Sequence, residues 1–266
     1  MKILRRVLVG SVVALLAVVA AIALSIPVDR LLNQGEVEAL TNTAIPTDTG
    51  EVRAYLSPIE TEEPLPAVIM IHEFWGLRPS IVGKAEALAE EGYIVVAPDT
   101  FRGHTTNWLP TAIWQTLRTT QERVDTDLDA VFAWLRTQPS IDPSRIMVMG
   151  FCYGGRAALH YSLHNSDIAA TGVFYGTPLT DAERLAALPG PLLGIFGAED
   201  RSIPVEDVEA FERALAAANV LHEVILYPEV GHAFVGDMAE IRAGGAAGDA
   251  WQAFLTFAAA TLKDAP

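Results

Sequence analysis

Gly150-Phe151-Cys152-Tyr153-Gly154-Gly155 is the stretch that most limits what this chain can become. The apolar segment Ile146-Met147-Val148-Met149 before it suits a buried strand, and Arg156 to Tyr161 after it suits a helix. Cys152, the only cysteine in the sequence, therefore stands at a strand-to-helix turn between glycines. So sharp a turn forces its central residue into a costly backbone conformation and tolerates no Cβ on its neighbours. This is the G-x-C-x-G form of a nucleophile elbow, with sulfur where serine oxygen is usual. The positive start of the following helix is expected to favour thiolate over thiol. An inert cysteine in a glycine-rich turn is the competing reading, and the rest of the chain bears on the choice.

Strand and helix signals alternate around the elbow. Glu51–Leu56, Ala67–Ile71, Tyr93–Ala97, Arg145–Met149, Ala169–Tyr175, Leu192–Phe196 and Leu221–Tyr227 read as strands. Helical spacing runs over Ser80–Glu91, over 111–137 with a break near Thr119-Thr120, and over Val205–Ala217 and Gly248–Leu262. Residues 61–66 read as a turn and 100–110 as a loop. The pattern predicts a mostly parallel central sheet with helices on both faces, in one α/β domain over 48–266. No internal repeat is present.

In such a sheet, sites gather at the carboxyl ends of strands. Asp200 follows the 192–196 strand, and His232 follows the 221–227 strand. Nucleophile, acid, histidine is the order expected of an α/β-hydrolase. Cys152 would attack an acyl carbonyl, His232 would move the proton, and Asp200 would orient the imidazole. Taken singly, Asp200 reads equally well as a helix cap, with Glu199 a rival for its role, and His232 as a surface-loop histidine. His72-Glu73-Phe74-Trp75-Gly76 ends the first central strand, where the second oxyanion-hole amide arises in this fold. Phe74 and Tyr153 are the expected amide donors. Glu73 brings a carboxylate beside the thiol and is expected to control when thiolate forms.

Other features narrow the function. The chain has 266 residues, 18 Lys and Arg against 33 Asp and Glu, and a net charge of −15. That balance argues against nucleic acid as a partner. A single cysteine excludes an intramolecular disulfide. His160 and His164 are one helical turn apart but lack a third ligand at a recognisable spacing, so no metal is expected. Gly150 to Gly155 lacks the lysine of a phosphate loop, and no cofactor is expected. Trp75, Trp108 and Trp114 are candidates for a cap over the pocket or for core packing.

The N-terminus is a separate unit. Lys2, Arg5 and Arg6 precede Val7 to Ile26, which carries no charged residue. As a helix that run reaches about 30 Å, the thickness of a bilayer core. The basic flank predicts a cytoplasmic N-terminus and an exported remainder. Residues 1–26 are thus an uncleaved anchor or a signal peptide cut near Ala21-Ile22-Ala23. Residues 27–47 read as a polar linker with a short helix over Asp29–Leu40.

Four separated motifs together resemble the dienelactone hydrolase family: His72 to Gly76, Leu88 to Asp99, Gly150 to Gly155, and Gly231-His232-Ala233-Phe234, with Asp200 between the last two. The similarity covers about residues 50–262. It implies an α/β-hydrolase fold and hydrolysis of an ester or lactone by a Cys-His-Asp triad, without a cofactor. It also implies that Glu73 interacts with the cysteine in the resting site. In that family, arginines bind a substrate carboxylate, one of them shortly after the catalytic histidine. Here Ala233 to Asp237 holds none, and Arg102 is the candidate that remains. The expected partner is a small ester or lactone met outside the cytoplasm, by a monomeric enzyme. A thioesterase or peptidase on the same fold, a membrane-tethered binding protein and a thiol redox sensor are the alternative readings.

Overall fold

The computed structural model describes residues 2–48, 50–58, 61 and 63–263, and of residues 2–8 only the backbone. Among the described residues the sheet has eight strands: β1 (Thr43–Thr47), β2 (Gly50–Leu56), β3 (Leu65–Ile71), β4 (Ile94–Pro98), β5 (Ile141–Phe151), β6 (Ala170–Phe174), β7 (Leu192–Gly197) and β8 (His222–Tyr227). Their spatial order is β1-β2-β4-β3-β5-β6-β7-β8. The pairs β1/β2 and β2/β4 are antiparallel, and every other pair is parallel.

The central strands are apolar on both faces because helices cover both faces. Val68 and Met70 of β3 join one core cluster, together with Met147, Met149 and Phe151 of β5. The alternate residues Ala67, Ile69, Ile71, Ile146 and Val148 join the other. This is the period-two alternation of a strand, filled with hydrophobic side chains on each side. The crossover helices are α3 (Pro79–Glu90), α5 (Gln121–Leu135), α6 (Tyr153–His164) and α8 (Val205–Ala217), and α10 (Gly245–Leu262) follows the last strand. The break expected at Thr119-Thr120 separates α5 from α4 (Leu109–Arg118), and the Thr120 side chain caps α5 by accepting from the Arg123 amide.

The N-terminal region departs from its expected reading. α1 (Lys2–Leu32) runs on past Ile26 and through Pro27, and a separate short helix, α2 (Glu36–Leu40), follows it. Thr43–Thr47, expected to be linker, is the edge strand β1, paired residue for residue with β2. Pro46 obscured it. Proline is excluded from central strands but tolerated at an edge, where no ladder donor is required of it. Two short helices, α7 (Ala182–Leu185) and α9 (Met238–Ala243), were also not expected, each being about one turn long. The expected turn over 61–66 lies partly outside the described residues, at Glu62, while Leu65 and Pro66 open β3.

Candidate active site

The site is built on the junction of β5 and α6. Cys152 has φ 54° and ψ −113°, a combination that costs an L-residue about 1–3 kcal/mol and persists only where surroundings enforce it. The glycines enforce it by absence. A Cβ on Gly150 would lie 2.4 Å from the Gly154 carbonyl carbon, and one on Gly154 would lie 2.3 Å from the Ile71 carbonyl oxygen. The Cys152 amide donates to the Phe174 carbonyl of β6 at 2.9 Å, and its own carbonyl accepts from Arg156 at 3.1 Å to open α6.

The loops after β7 and β8 bring two side chains to this turn. His232 Nε2 lies 3.0 Å from Cys152 Sγ, and His232 Nδ1 lies 2.6 Å from Asp200 Oδ2. The other carboxylate oxygen, Asp200 Oδ1, accepts from the Ser202 hydroxyl at 2.7 Å and the Ser202 amide at 2.8 Å. Burial pushes the Asp200 carboxyl up, but the hydrogen bonds from Ser202 and His232 outweigh it and hold the group below its ordinary value. An ionised Asp200 fixes the proton on Nδ1 and leaves Nε2 free to accept one from sulfur. The ring of Tyr175 meets that of His232 edge-on at 5.2 Å, and the Tyr175 hydroxyl donates to the Val235 carbonyl at 3.2 Å.

The loop after β3 supplies the opposite wall. His72 is fully buried, and burial holds its imidazole down to about 4. Neutral, it donates from Nδ1 to the Glu73 carbonyl at 2.7 Å and accepts at Nε2 from the Thr100 amide at 3.2 Å. Gln115 of α4 donates to the Phe74 carbonyl at 2.8 Å. The Phe74 and Tyr153 amides both face the Cys152 sulfur and favour its charged form.

The thiol departs from its expected state. Burial, followed by the negative charge of Glu73, pushes Cys152 up to about 11, and the two amides only partly oppose this. The start of α6 does not win because a desolvated sulfur beside a carboxylate loses more than a helix end returns. Glu73 is itself pushed up by burial, against the pull of Lys84, His232 and Arg78. Lys84, on α3, is 1% exposed, and its Nζ lies 4.7 Å from the centre of the Phe151 ring. No sequence signal marked it, since a lysine in an amphipathic helix ordinarily faces water.

A pocket of about 430 Å³ opens over the thiol, with Phe74, Tyr153, Arg156, Tyr175 and Ser202 among its lining residues. Arg102 is not among them: it forms a two-pronged ion pair with the buried Asp127, at 2.5 and 3.2 Å. The cation that does line the pocket is Arg156, one helical turn after Cys152. Its signal was its spacing, since i and i+4 share a helix face. The Arg156 side chain has no hydrogen-bond or ion-pair partner among the described residues. The three tryptophans lie elsewhere than in the pocket wall. The Trp75 ring meets that of Phe74 at a tilt with centroids 4.4 Å apart, Trp108 donates to Ser25 of α1 at 2.9 Å, and the Arg30 guanidinium lies 4.7 Å from the centre of the Trp114 ring. His164 pairs with Asp129 at 2.9 Å.

Known proteins resemble this chain in sequence and fold. Residues 52–262 match the model of the "Dienelactone hydrolase family". The chain belongs to the dienelactone hydrolase family. A relative from Escherichia coli (strain K12), named "Putative carboxymethylenebutenolidase", is 34% identical over 228 residues, which is 80% of this chain and 84% of that one. A "Carboxymethylenebutenolidase homolog" of Xenopus tropicalis is 31% identical over 69% of this chain and 76% of its own length. Among solved structures, "Putative Dienelactone Hydrolase from Klebsiella pneumoniae subsp. pneumoniae MGH 78578" superposes with a TM-score of 0.73 at 33% identity, covering 82% of this chain and 96% of that one. Membership makes this dienelactone hydrolase family protein a carboxylic ester or lactone hydrolase on the α/β-hydrolase fold.

Proposed function

We propose that Cys152, His232 and Asp200 hydrolyse an ester or lactone through a thioester intermediate. The observation that carries this reading is the unbroken line from Sγ to Nε2 at 3.0 Å and from Nδ1 to the carboxylate at 2.6 Å. The thiol proton passes to His232 Nε2 as Sγ bonds to the carbonyl carbon. The carbonyl electron pair moves onto oxygen, which the Phe74 and Tyr153 amides receive. Collapse breaks the bond to the leaving oxygen, and His232 returns the proton to it. Water then attacks the thioester and gives a proton to His232. The carbon–sulfur bond breaks, and that proton restores the thiol. Glu73 keeps the empty site in its thiol form and so guards it against oxidation and alkylation.

Arg156 takes the substrate-binding role first assigned to Arg102, because it lines the pocket and lacks a described partner, whereas Arg102 is engaged with Asp127. It suits a substrate with an anionic group a few ångströms from the acyl carbon. α1 crosses a bilayer and holds the catalytic domain on the extracytoplasmic side, a reading supported by its apolar window, none of which is buried.

The test is turnover of activated aryl esters and five-membered lactones, with and without a carboxylate, by the full chain in detergent. Cys152→Ala is expected to lose at least about a thousandfold in turnover, and a slow ester should leave an acyl mass on Cys152. Full activity in Cys152→Ala would sink the mechanism. Arg156→Gln is expected to raise KM about tenfold for carboxylate-bearing substrates, the worth of one charged hydrogen bond, and to spare neutral ones.

A further inference from the structure

α4 is exposed on one side in a way that a water-facing helix is not. Leu109, Ile113 and Leu117 recur at four-residue spacing and are 49%, 47% and 79% exposed, so they form a single apolar stripe. Trp108, just before the helix, is 45% exposed. The opposite side, with Thr111, Ala112 and Gln115, is buried against the catalytic domain. The helix carries one charge, Arg118 at its last position.

The contacts of α1 set the level of this stripe. The uncharged run of α1 ends at Ile26, so its outer end lies where hydrocarbon gives way to headgroups. Ser25, one residue before that end, accepts from the Trp108 indole at 2.9 Å. Asp29, three residues beyond it, accepts from the Thr106 hydroxyl at 2.5 Å. Arg30 hydrogen-bonds His104 and lies over the Trp114 ring, which Arg118 approaches at 5.3 Å from its own position. The start of α4 is therefore held at the depth where tryptophan rings and arginines favour the membrane interface.

We propose that α4 lies in the outer headgroup layer of the same bilayer, with Leu109, Ile113 and Leu117 dipping into the acyl boundary. The occupant of the stripe is lipid, because the exposed apolar surface of α1 meets that of α4 at the Ser25–Trp108 contact. The proposal rests on the reading of α1 as a spanning helix. It has a consequence for catalysis: Thr116 of α4 lines the pocket and Gln115 grips the Phe74 carbonyl, so one helix touches both lipid and the oxyanion loop.

The test uses the full chain in phosphatidylcholine bilayers, in a Cys152→Ser background that leaves no native thiol. A nitroxide is attached after Ile113→Cys, Leu117→Cys, Leu15→Cys or Glu212→Cys, and its exposure to oxygen and to an aqueous nickel chelate is measured. Glu212 is on α8, at the β7–β8 edge of the sheet. The expected result is lipid exposure at 113 and 117, about 5–10 Å below the headgroups, deeper lipid exposure at 15, and water exposure at 212. Lipid exposure at 15 with water exposure at 113 and 117 would overturn the α4 proposal and leave the anchor standing. Water exposure at all sites would overturn both. Shielding of 113 and 117 from both reagents would mean a protein covers the stripe, and would overturn the proposal as well.

Discussion

At the scale of single residues, the site is poised between two opposing demands on one sulfur. The Phe74 and Tyr153 amides favour charge on Cys152, while burial and the Glu73 and Asp200 carboxylates oppose it and prevail in the empty site. The Glu73 charge is one of the influences that raise the thiol pKa, so Glu73→Gln lowers that pKa from about 11. Each unit of lowering raises the thiolate fraction at neutral pH about tenfold. Cys152 in Glu73→Gln is therefore expected to react with iodoacetamide at pH 7.5 about tenfold faster than in the parent. Mass spectrometry over a pH series gives the rate, and unchanged or slower labelling would remove Glu73 from the control of the thiol. The meeting of Cys152, Asp200 and His232 was legible in the sequence because each lies in the loop or turn after a strand, beside glycine. The thiol's protonation was not, since it depends on burial and on a carboxylate brought in from another strand. The choice between Arg102 and Arg156 was not legible either, because it turns on the burial of Asp127, which no local pattern announces.

At the scale of elements, the β5–α6 turn is the part that sequence specified most tightly. Gly154 illustrates why: its position lies against the Ile71 and His72 carbonyl oxygens, 2.3 and 2.5 Å from where a Cβ would stand. Both atoms are backbone at the end of β3, just before the Phe74 loop, so neither can step aside cheaply. Gly154→Ala is expected to push α6 off β3 and to destabilise the fold by about 1–3 kcal/mol, the range for overpacking, with loss of esterase activity even in the folded fraction. Denaturant midpoints of the two proteins, alongside turnover per folded molecule, check it. Wild-type stability in the variant would mean that the turn has slack. The long elements were readable because β3 and β5 carry short unbroken apolar runs and α5 and α8 sustain a period of 3.6. β1 was not, since a five-residue edge strand containing Pro46 is recognisable only once β2 is beside it.

At the scale of the whole molecule, the chain places its apolar N-terminal helix and its pocket on either side of one helix. Ser25, Asp29 and Arg30 dock on Trp108, Thr106 and Trp114, and all three lie after the Ala21-Ile22-Ala23 sequence. Cleavage there would remove most of the apolar run yet leave the docking residues in the mature protein. A chain starting at Leu24 is thus expected to match the turnover of the full chain on a short, water-soluble aryl ester. A chain starting at Gln34 loses every one of these contacts, and α4 then holds the Phe74 loop from one side only. Loss of the three side-chain hydrogen bonds to Trp108, Thr106 and His104, at about 1 kcal/mol each, predicts a Tm lower by about 6–12 °C and a lower kcat. The two truncated chains, compared by thermal unfolding and by kcat on the same ester, separate tethering from structural support. Equal Tm and kcat in both would show that α1 only attaches the enzyme to a surface. A deficit confined to the Gln34 start would show that the segment after the apolar run completes the wall of the active site.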